Sequence, residues 1–518
     1  MERLSYVAVR ARPTAWHREA LSAILAVLVV DCVTANVFDR LLGEGRLPAL
    51  AELHERGRRH PLALSATSVD TGHFSLYSGL PLQEHGLHYL FQWDASEQRI
   101  RYVHDLTVPD GFWEQFGSSA LVIDPYEGCA PRARDLVFAR GFGFRERLVL
   151  PPFAQPADEW RRQARLHGTP PRIDDLYGRP SLARLERLRG SLEAAPARAA
   201  AAAVDLLARR SFDLVFVGFG SVHLGGHHFL DLSQLPEGDR PRARAAGLET
   251  ALESIYVAVD AAVGAIVAAL PEDADLLVVS PTGMGANTSR GDLLPAMVQR
   301  ILGADGGAAP GDAIWRLRGA VPTRWRGVAA RALPDGAVRR LTSDIYLRGV
   351  DWSRTRAFAL PGDYRGFVRV NLRGRERDGI VDAADLDALL AEIAEGLATF
   401  CDSDGSPAVA RVDRIESLVP EGRERHRLPD LVVRWSDRPP AASRAGVSSS
   451  HFGDVRRVGV GSGRPGNHTE GGWILAVPGA ANAREPVRNA ELVDVAATAA
   501  ALLGGRGPTR GEALLEPV

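Results

Sequence analysis

Residues 212–231 read "FDLVFVGFGSVHLGGHHFLD". The first half is a short apolar run rich in β-branched and aromatic residues, as a strand buried on both faces requires. The second half places His223, His227 and His228 directly behind it. In an open parallel sheet, ligands gather beyond the carboxyl ends of the strands. A histidine cluster in that position is a candidate site. The H-x-x-x-H spacing suits two ligands, but Gly225 and Gly226 between them argue against a plain helix.

The same alternation recurs along the chain. "AILAVLVVD" (23–31) precedes the helical pattern "VFDRLLGEGRLPALAELHERG". "SALVIDP" (119–125), "DLLVVSP" (275–281) and "GGWILAVPG" (471–479) are further buried-type strands, with long helical patterns between them. The alanine-rich stretch 198–203 sits in one of those helices. Such an order predicts an α/β three-layer sandwich: a mostly parallel central sheet with helices on both faces. The stretch 345–440 differs, with strand-like "FVRVNL", "AVARVDRI" and "DLVVRW" around one helical segment. We read it as a smaller inserted α+β subdomain. Residues 1–22 read as an N-terminal arm, 23–518 as the main domain, and the Gly-, Ser-, Pro- and Arg-rich 436–467 as a long surface loop.

Bulk properties narrow the function. The chain has 518 residues, a net charge of -2, 45% hydrophobic and 24% charged residues. That is an ordinary globular balance with no basic footprint for nucleic acid. Three cysteines form no disulfide framework and fit a reducing, cytoplasmic setting. The apolar run 23–30 is too short to span a bilayer, and no small-residue cleavage site follows it, so no membrane association is expected.

The strand-end rule collects Asp31, His223, His227, the "SPTGMG" turn (280–285) and His468 in "RPGNHTEGGW". In this order the segments resemble the alkaline phosphatase superfamily, in its type I phosphodiesterase and nucleotide pyrophosphatase branch of predicted phosphohydrolases and phosphomutases. The likeness runs from residue 23 to the C-terminus through "VVDCVTANVFDRLLGEGRLPALAELHERG", "SLYSGLPLQEHGL", "FWEQFGSSALVIDPYEG", "YRGFVRVNLRGRERDGIV", "LPDLVVRW" and "GNHTEGGWILAVPG". The resemblance implies an alkaline-phosphatase-like fold and two metal ions, usually zinc. One is held by D-x-x-x-H and a late histidine. The other is held by the opening aspartate, a Thr or Ser nucleophile and S-D-H-G-M.

This chain departs from that pattern. "SPTGM" puts Pro281 and Thr282 where two ligands belong. "HLGGH" puts His223 where the aspartate belongs, Val69 falls at the nucleophile position, and Cys32 follows Asp31 where glycine is common. One seat is thus reduced to Asp31. The other keeps His227 and His468 and gains His223, and three imidazoles with an open fourth position form a catalytic mononuclear ligand set.

The expectation is one divalent ion on His223, His227 and His468, zinc first, with iron, cobalt or manganese compatible. The plain alternative is three histidines that satisfy one another without an ion. Asp31 serves as base or orienter, or only caps backbone amides. Ser68 is a nucleophile if a bulge shifts it by one position; Thr67, Asp70 and Thr71 otherwise form a polar turn. His73 is an acid–base candidate or a packing histidine. His85 bonds backbone in its turn, and His228 points away. Arg290, Arg365, Arg369 and Arg373 rank low as anion contacts. The expected function is metal-dependent cleavage, hydrolytic by default, of a small anionic substrate. A conventional two-metal phosphodiesterase using Ser68 and a non-catalytic binding protein are the alternatives.

Overall fold

The computed structural model describes residues 24–518, apart from 64–68, 70–71, 147–148, 150, 174–179, 304–333, 335, 338–346, 348–349, 440–444, 458–460, 485–487, 506 and 508–509. Residues 1–22, Thr67, Ser68, Asp70 and Thr71 therefore lie outside the described residues.

In chain order, the main body contains β1 (Leu25–Val30), α1 (Ala35–Gly43), α2 (Pro48–Arg56), β2 (Arg58–Pro61), α3 (His73–Ser78), β3 (Ala120–Ile123), β4 (Val137–Arg140) and β5 (Phe153–Gln155). It continues through α4 (Leu182–Leu207), β6 (Leu214–Phe219), α5 (Ser221–Phe229), α6 (Ala251–Val267), β7 (Asp275–Ser280) and β8 (Gly283–Ala286). The second unit comprises α7 (Leu294–Leu302), β9 (Ala357–Leu360), β10 (Gly366–Val370), α8 (Leu386–Ala398), β11 (Val409–Arg414) and β12 (Leu431–Trp435). The hairpin β13 (Gly446–Ser449) and β14 (Gly453–Arg456) follows, then β15 (Gly466–Thr469), β16 (Trp473–Val477) and α9 (Val493–Leu503).

The central eight-stranded sheet runs β2-β16-β7-β1-β6-β3-β4-β5. β7, β1, β6, β3 and β4 are mutually parallel. Side chains alternate across a strand, and both faces of β1 are covered. Ala26, Leu28 and Val30 pack under α1, α2, α4 and α6. Leu25, Val27 and Val29 pack under α3 and α9. This double burial is why β1 is apolar throughout and does not alternate. Leu248–Val267 is apolar and long enough to cross a membrane, but Ile255, Tyr256, Val259, Val263 and Ile266 are core residues beneath the sheet.

The sheet is mostly parallel, as expected; two expectations need correction, and the direction of one strand is new. β16 is antiparallel to β7. The chain returns from the second unit at the carboxyl edge of the sheet, where β15 pairs with β8. β16 therefore starts at that edge, so a residue before β16 sits beside residues that follow β1 and β6. The 436–467 segment is not one long loop, since it holds the β13–β14 hairpin and the first residues of β15. Finally, Ser221–Phe229 is a helix despite its glycines. They serve close packing: a Cβ on Gly225 would lie 2.9 Å from Ile255 Cδ1, and one on Gly226 would lie 2.5 Å from Met284 Cγ.

The second unit is an antiparallel sheet in the order β9-β10-β12-β11. One face packs on α7 and α8. The other, through Phe358, Phe367 and Val432, packs on an aromatic layer with Phe74 and Trp93.

Candidate active site

Each site residue follows from a local rule. β1 ends at Asp31, whose side chain is fully buried. The next residue, Cys32, turns the chain with φ +58. Asp124 and Glu127, just beyond β3, also have positive φ, at +50 and +61. Non-glycine residues pay strain there, and such strain concentrates at functional sites. α5 places His223 and His227 one turn apart on one face. β15 brings in His468.

The three imidazoles converge. Ring centroids are 4.9 Å apart for His223–His227, 4.7 Å for His223–His468 and 4.9 Å for His227–His468. His223 Nδ1–H donates to Asp31 Oδ2 at 2.7 Å. His227 Nδ1–H donates to the Gly466 carbonyl at 2.9 Å. Both acceptors lack a proton to give, so each Nδ1 carries the hydrogen, and in its neutral form each ring presents its Nε2 lone pair. Those two Nε2 atoms lie 3.1 Å apart. Two lone pairs at that distance repel unless a proton or a cation stands between them. Ligands on a tetrahedral zinc ion stand about 3.3 Å apart. Histidine ligands typically donate their other N–H to a carboxylate or a backbone carbonyl, as these two do. His223 and His227 thus fit a divalent ion between them, and His468 shares a donor set with each of them separately.

The electrostatics agree. Burial, Arg464 and the neighbouring imidazoles push His227 well below the ordinary histidine range. Burial and His223 do the same to His468, against the pull of Asp31. Both are neutral donors at physiological pH. Burial alone would raise Asp31, but His73 and His223 outweigh it and hold the carboxyl well below its usual range. His73 is enclosed between two carboxylates, with Nε2 2.9 Å from Asp31 Oδ1 and Nδ1 3.3 Å from Glu127 Oε2. Burial works against its charge, yet Asp31 and Glu127 raise it to about 10.

Several groups were not singled out in the sequence. Asp363 sits with His227 and His468 in a set whose ligand atoms lie within 4.8 Å of one another. A second such set is Cys32, His223 and His468. Arg464 grips Asp363 at 2.9 Å to each carboxylate oxygen. Tyr126 packs on His223 with centroids 4.6 Å apart. A cavity of about 50 Å³ is lined by Val69, Glu127, His223, His227, Asp363, Tyr364, Arg464 and His468, among others. The quoted "YRGFVRVNL" begins one residue after Asp363, and no spacing rule ties an inserted loop to a distant strand end.

The remaining candidates sort as follows. Thr282 donates its hydroxyl to the Thr469 carbonyl at 2.6 Å, so it is spent on the backbone. Val69 is buried at the nucleophile position. His85 Nδ1 accepts the Leu87 N–H at 3.0 Å, the backbone bond expected of it. Arg290 is buried on Asp402, Arg369 on Glu376, Arg373 pairs with Asp382, and Arg365 pairs with Glu470.

The family described as "Type I phosphodiesterase / nucleotide pyrophosphatase" matches residues 25–439. The chain belongs to this family, and its fold is the alkaline-phosphatase-like α/β fold. No curated protein matches. Similar solved structures include phosphonoacetate hydrolase from Sinorhizobium meliloti 1021 in complex with phosphonoacetate, at 16% identity and TM-score 0.48, covering 92% of this chain and 95% of that one. Murine ectonucleotide pyrophosphatase/phosphodiesterase 5 aligns at 11% identity and TM-score 0.45, covering 96% of this chain and 100% of that one. Its human counterpart aligns at 11% identity and TM-score 0.43, covering 95% and 100%.

Proposed function

We propose that the chain is a metal-dependent hydrolase that uses one divalent ion, zinc first, held by His223, His227 and His468. The observation that carries this reading is the pair of facing Nε2 lone pairs 3.1 Å apart, each fixed by its partner on the far side of the ring. When bound, such an ion supplies Lewis acidity and activates water near neutral pH. A protein nucleophile is then unnecessary, in keeping with Val69 at the expected position.

Asp31 acts as orienter, not base. Its Oδ1 accepts from His73 and from the Cys32 thiol and its Oδ2 from His223, so three of its four lone pairs are taken, and the pKa that these partners hold well below the usual range makes it a weak base. His73, held charged, supplies a fixed positive charge behind Asp31 and is a poor proton shuttle near neutrality. Arg464 is paired with Asp363, so the bound ion would supply the attraction for a small anionic substrate, a phosphoester or related group.

The test couples metal analysis with turnover. Purified full-length protein should carry near one zinc per chain and hydrolyse bis(p-nitrophenyl) phosphate or a smaller phosphoester. His223→Ala should lose both, while Ser68→Ala keeps both. Two ions per chain together with loss of turnover in Ser68→Ala would establish the conventional two-metal enzyme instead. No ion and no turnover would leave a binding protein on a hydrolase fold.

A further inference from the structure

Two donor sets share His468. One is His227, Asp363 and His468, a carboxylate with two imidazoles. The other is Cys32, His223 and His468, all three buried. The reading above leaves the thiol without a task beyond a hydrogen bond. Cys32 Sγ lies 3.5 Å from His468 Nδ1 and donates to Asp31 Oδ1 at 3.1 Å. Its side chain is fully enclosed, and its backbone holds a left-handed φ of +58 that glycine or asparagine would accept more easily. The turn thus keeps a strained cysteine at the one place where its sulfur reaches the imidazole cluster.

We propose that Cys32 is a metal ligand: its thiolate would join His223, His227 and His468 around the divalent ion, giving the site one sulfur donor and leaving water to be taken up as a fifth ligand. The proposal rests on the single-ion reading and deepens it. Binding replaces the S–H bond with a sulfur–metal bond and releases the thiol proton to solvent, with no redox change. The ion's charge, together with His73 on the far side of Asp31, offsets the repulsion between a thiolate and the Asp31 carboxylate. A sulfur donor selects zinc or cobalt over magnesium, calcium or manganese, which prefer oxygen. It also gives a chemical reason for cysteine at a turn that glycine would fill with less strain.

The experiment uses metal-stripped full-length protein titrated with one equivalent of Co(II). The wild type should show visible d–d bands together with a near-ultraviolet thiolate-to-cobalt band. Cys32→Ser and Cys32→Ala should lose the near-ultraviolet band and bind cobalt at least tenfold more weakly. Cys129→Ser and Cys401→Ser, at the two half-buried free thiols, should change neither. X-ray absorption of the zinc-loaded wild type needs no variant to fold, and should show a sulfur scatterer at about 2.3 Å. One bound ion with only nitrogen and oxygen neighbours at about 2.0–2.1 Å overturns the thiolate and leaves the single-ion reading intact. Absence of any bound ion overturns both.

Discussion

His73→Gln in the metal-free protein is a quantitative test of the site's electrostatics. Glutamine can still donate to Asp31 but carries no charge. His73 is raised from an ordinary 6.5 to about 10 by Asp31 and Glu127, against burial. A group raised in the folded state stabilises fully below its unfolded pKa, and that stability is lost as pH rises through the folded pKa. Between pH 6.5 and about 10 the folded chain holds one proton more than the unfolded chain, so stability falls by up to about 1.4 kcal/mol per pH unit. The histidine contribution is on the order of 4 kcal/mol at pH 6.5 and under about 1 kcal/mol at pH 9.5. This is the same energy that lowers Asp31, seen from the other partner, and the two are not added. The assay is urea denaturation of wild type and variant across that range at constant ionic strength. The gap between them should be wide at pH 6.5 and nearly closed at pH 9.5. A gap that stays constant with pH would show that His73 is neutral, and the charged Glu127–His73–Asp31 chain would be wrong.

Three shorter predictions follow from other contacts. An ion present at a thousandfold excess over its Kd adds about 4 kcal/mol of stability, so chelation should lower Tm in the wild type and leave His227→Ala unmoved, as read by thermal unfolding with and without chelator. A Cβ on Gly466 would lie 2.0 Å from the Gly226 carbonyl oxygen, backbone against backbone, whereas one on Gly226 meets only the flexible Met284 side chain; Gly466→Ala should abolish zinc binding by dislodging the His227 acceptor, while Gly226→Ala should cost about 1–3 kcal/mol and keep it, as measured by zinc titration and melting. Arg290→Ala strands the fully buried Asp402 and should cost about 3–5 kcal/mol with no change in metal stoichiometry, since that pair lies outside the site.

The central fold was legible because double-sided burial leaves an unmistakable record in strands such as "LAVLVV" and "LVFVGF". The position of His468 was legible from its place before "WILAV", although the direction of that strand was not. Period and composition do not encode whether a strand is entered from the amino or the carboxyl edge of the sheet. α5 was misjudged for a related reason. Glycine weakens an isolated helix by about 1 kcal/mol, but Gly225 and Gly226 lie so close to α6 and β8 that an added Cβ would force the Ile255 or Met284 side chain to move, and tertiary packing decides. Asp363, Arg464 and Glu127 stayed hidden because each reaches the site by a long-range contact from a loop without a spacing signature. Cys32 was visible as a departure from glycine, but its reach to His468 depends on two chain ends 436 residues apart.

The hydrogen-bond directions around Asp31 also bear on why one ion suffices. As a direct ligand, this carboxylate would have to turn a lone pair toward a cation. In the metal-free protein three of its four lone pairs instead accept from His73, His223 and the Cys32 thiol, and the two histidine bonds persist when the thiol proton leaves. The charge that a second ion would bring is supplied by the His73 imidazolium, which the Glu127 carboxylate secures from its other side. Pro281, which has no donor atom, and Thr282, bonded to backbone, then cost the site nothing, because the carboxylate they would have served with a metal is already neutralised by protein. Two facing imidazole lone pairs still lack a partner after this balance is drawn, and they belong to His223 and His227. Neutralising Asp31 further could not satisfy them; a cation or proton between the two Nε2 atoms could. Metal affinity should therefore reside with the three imidazoles and the Cys32 thiolate and survive Glu127→Gln, which disturbs the His73 charge, while His227→Ala removes it.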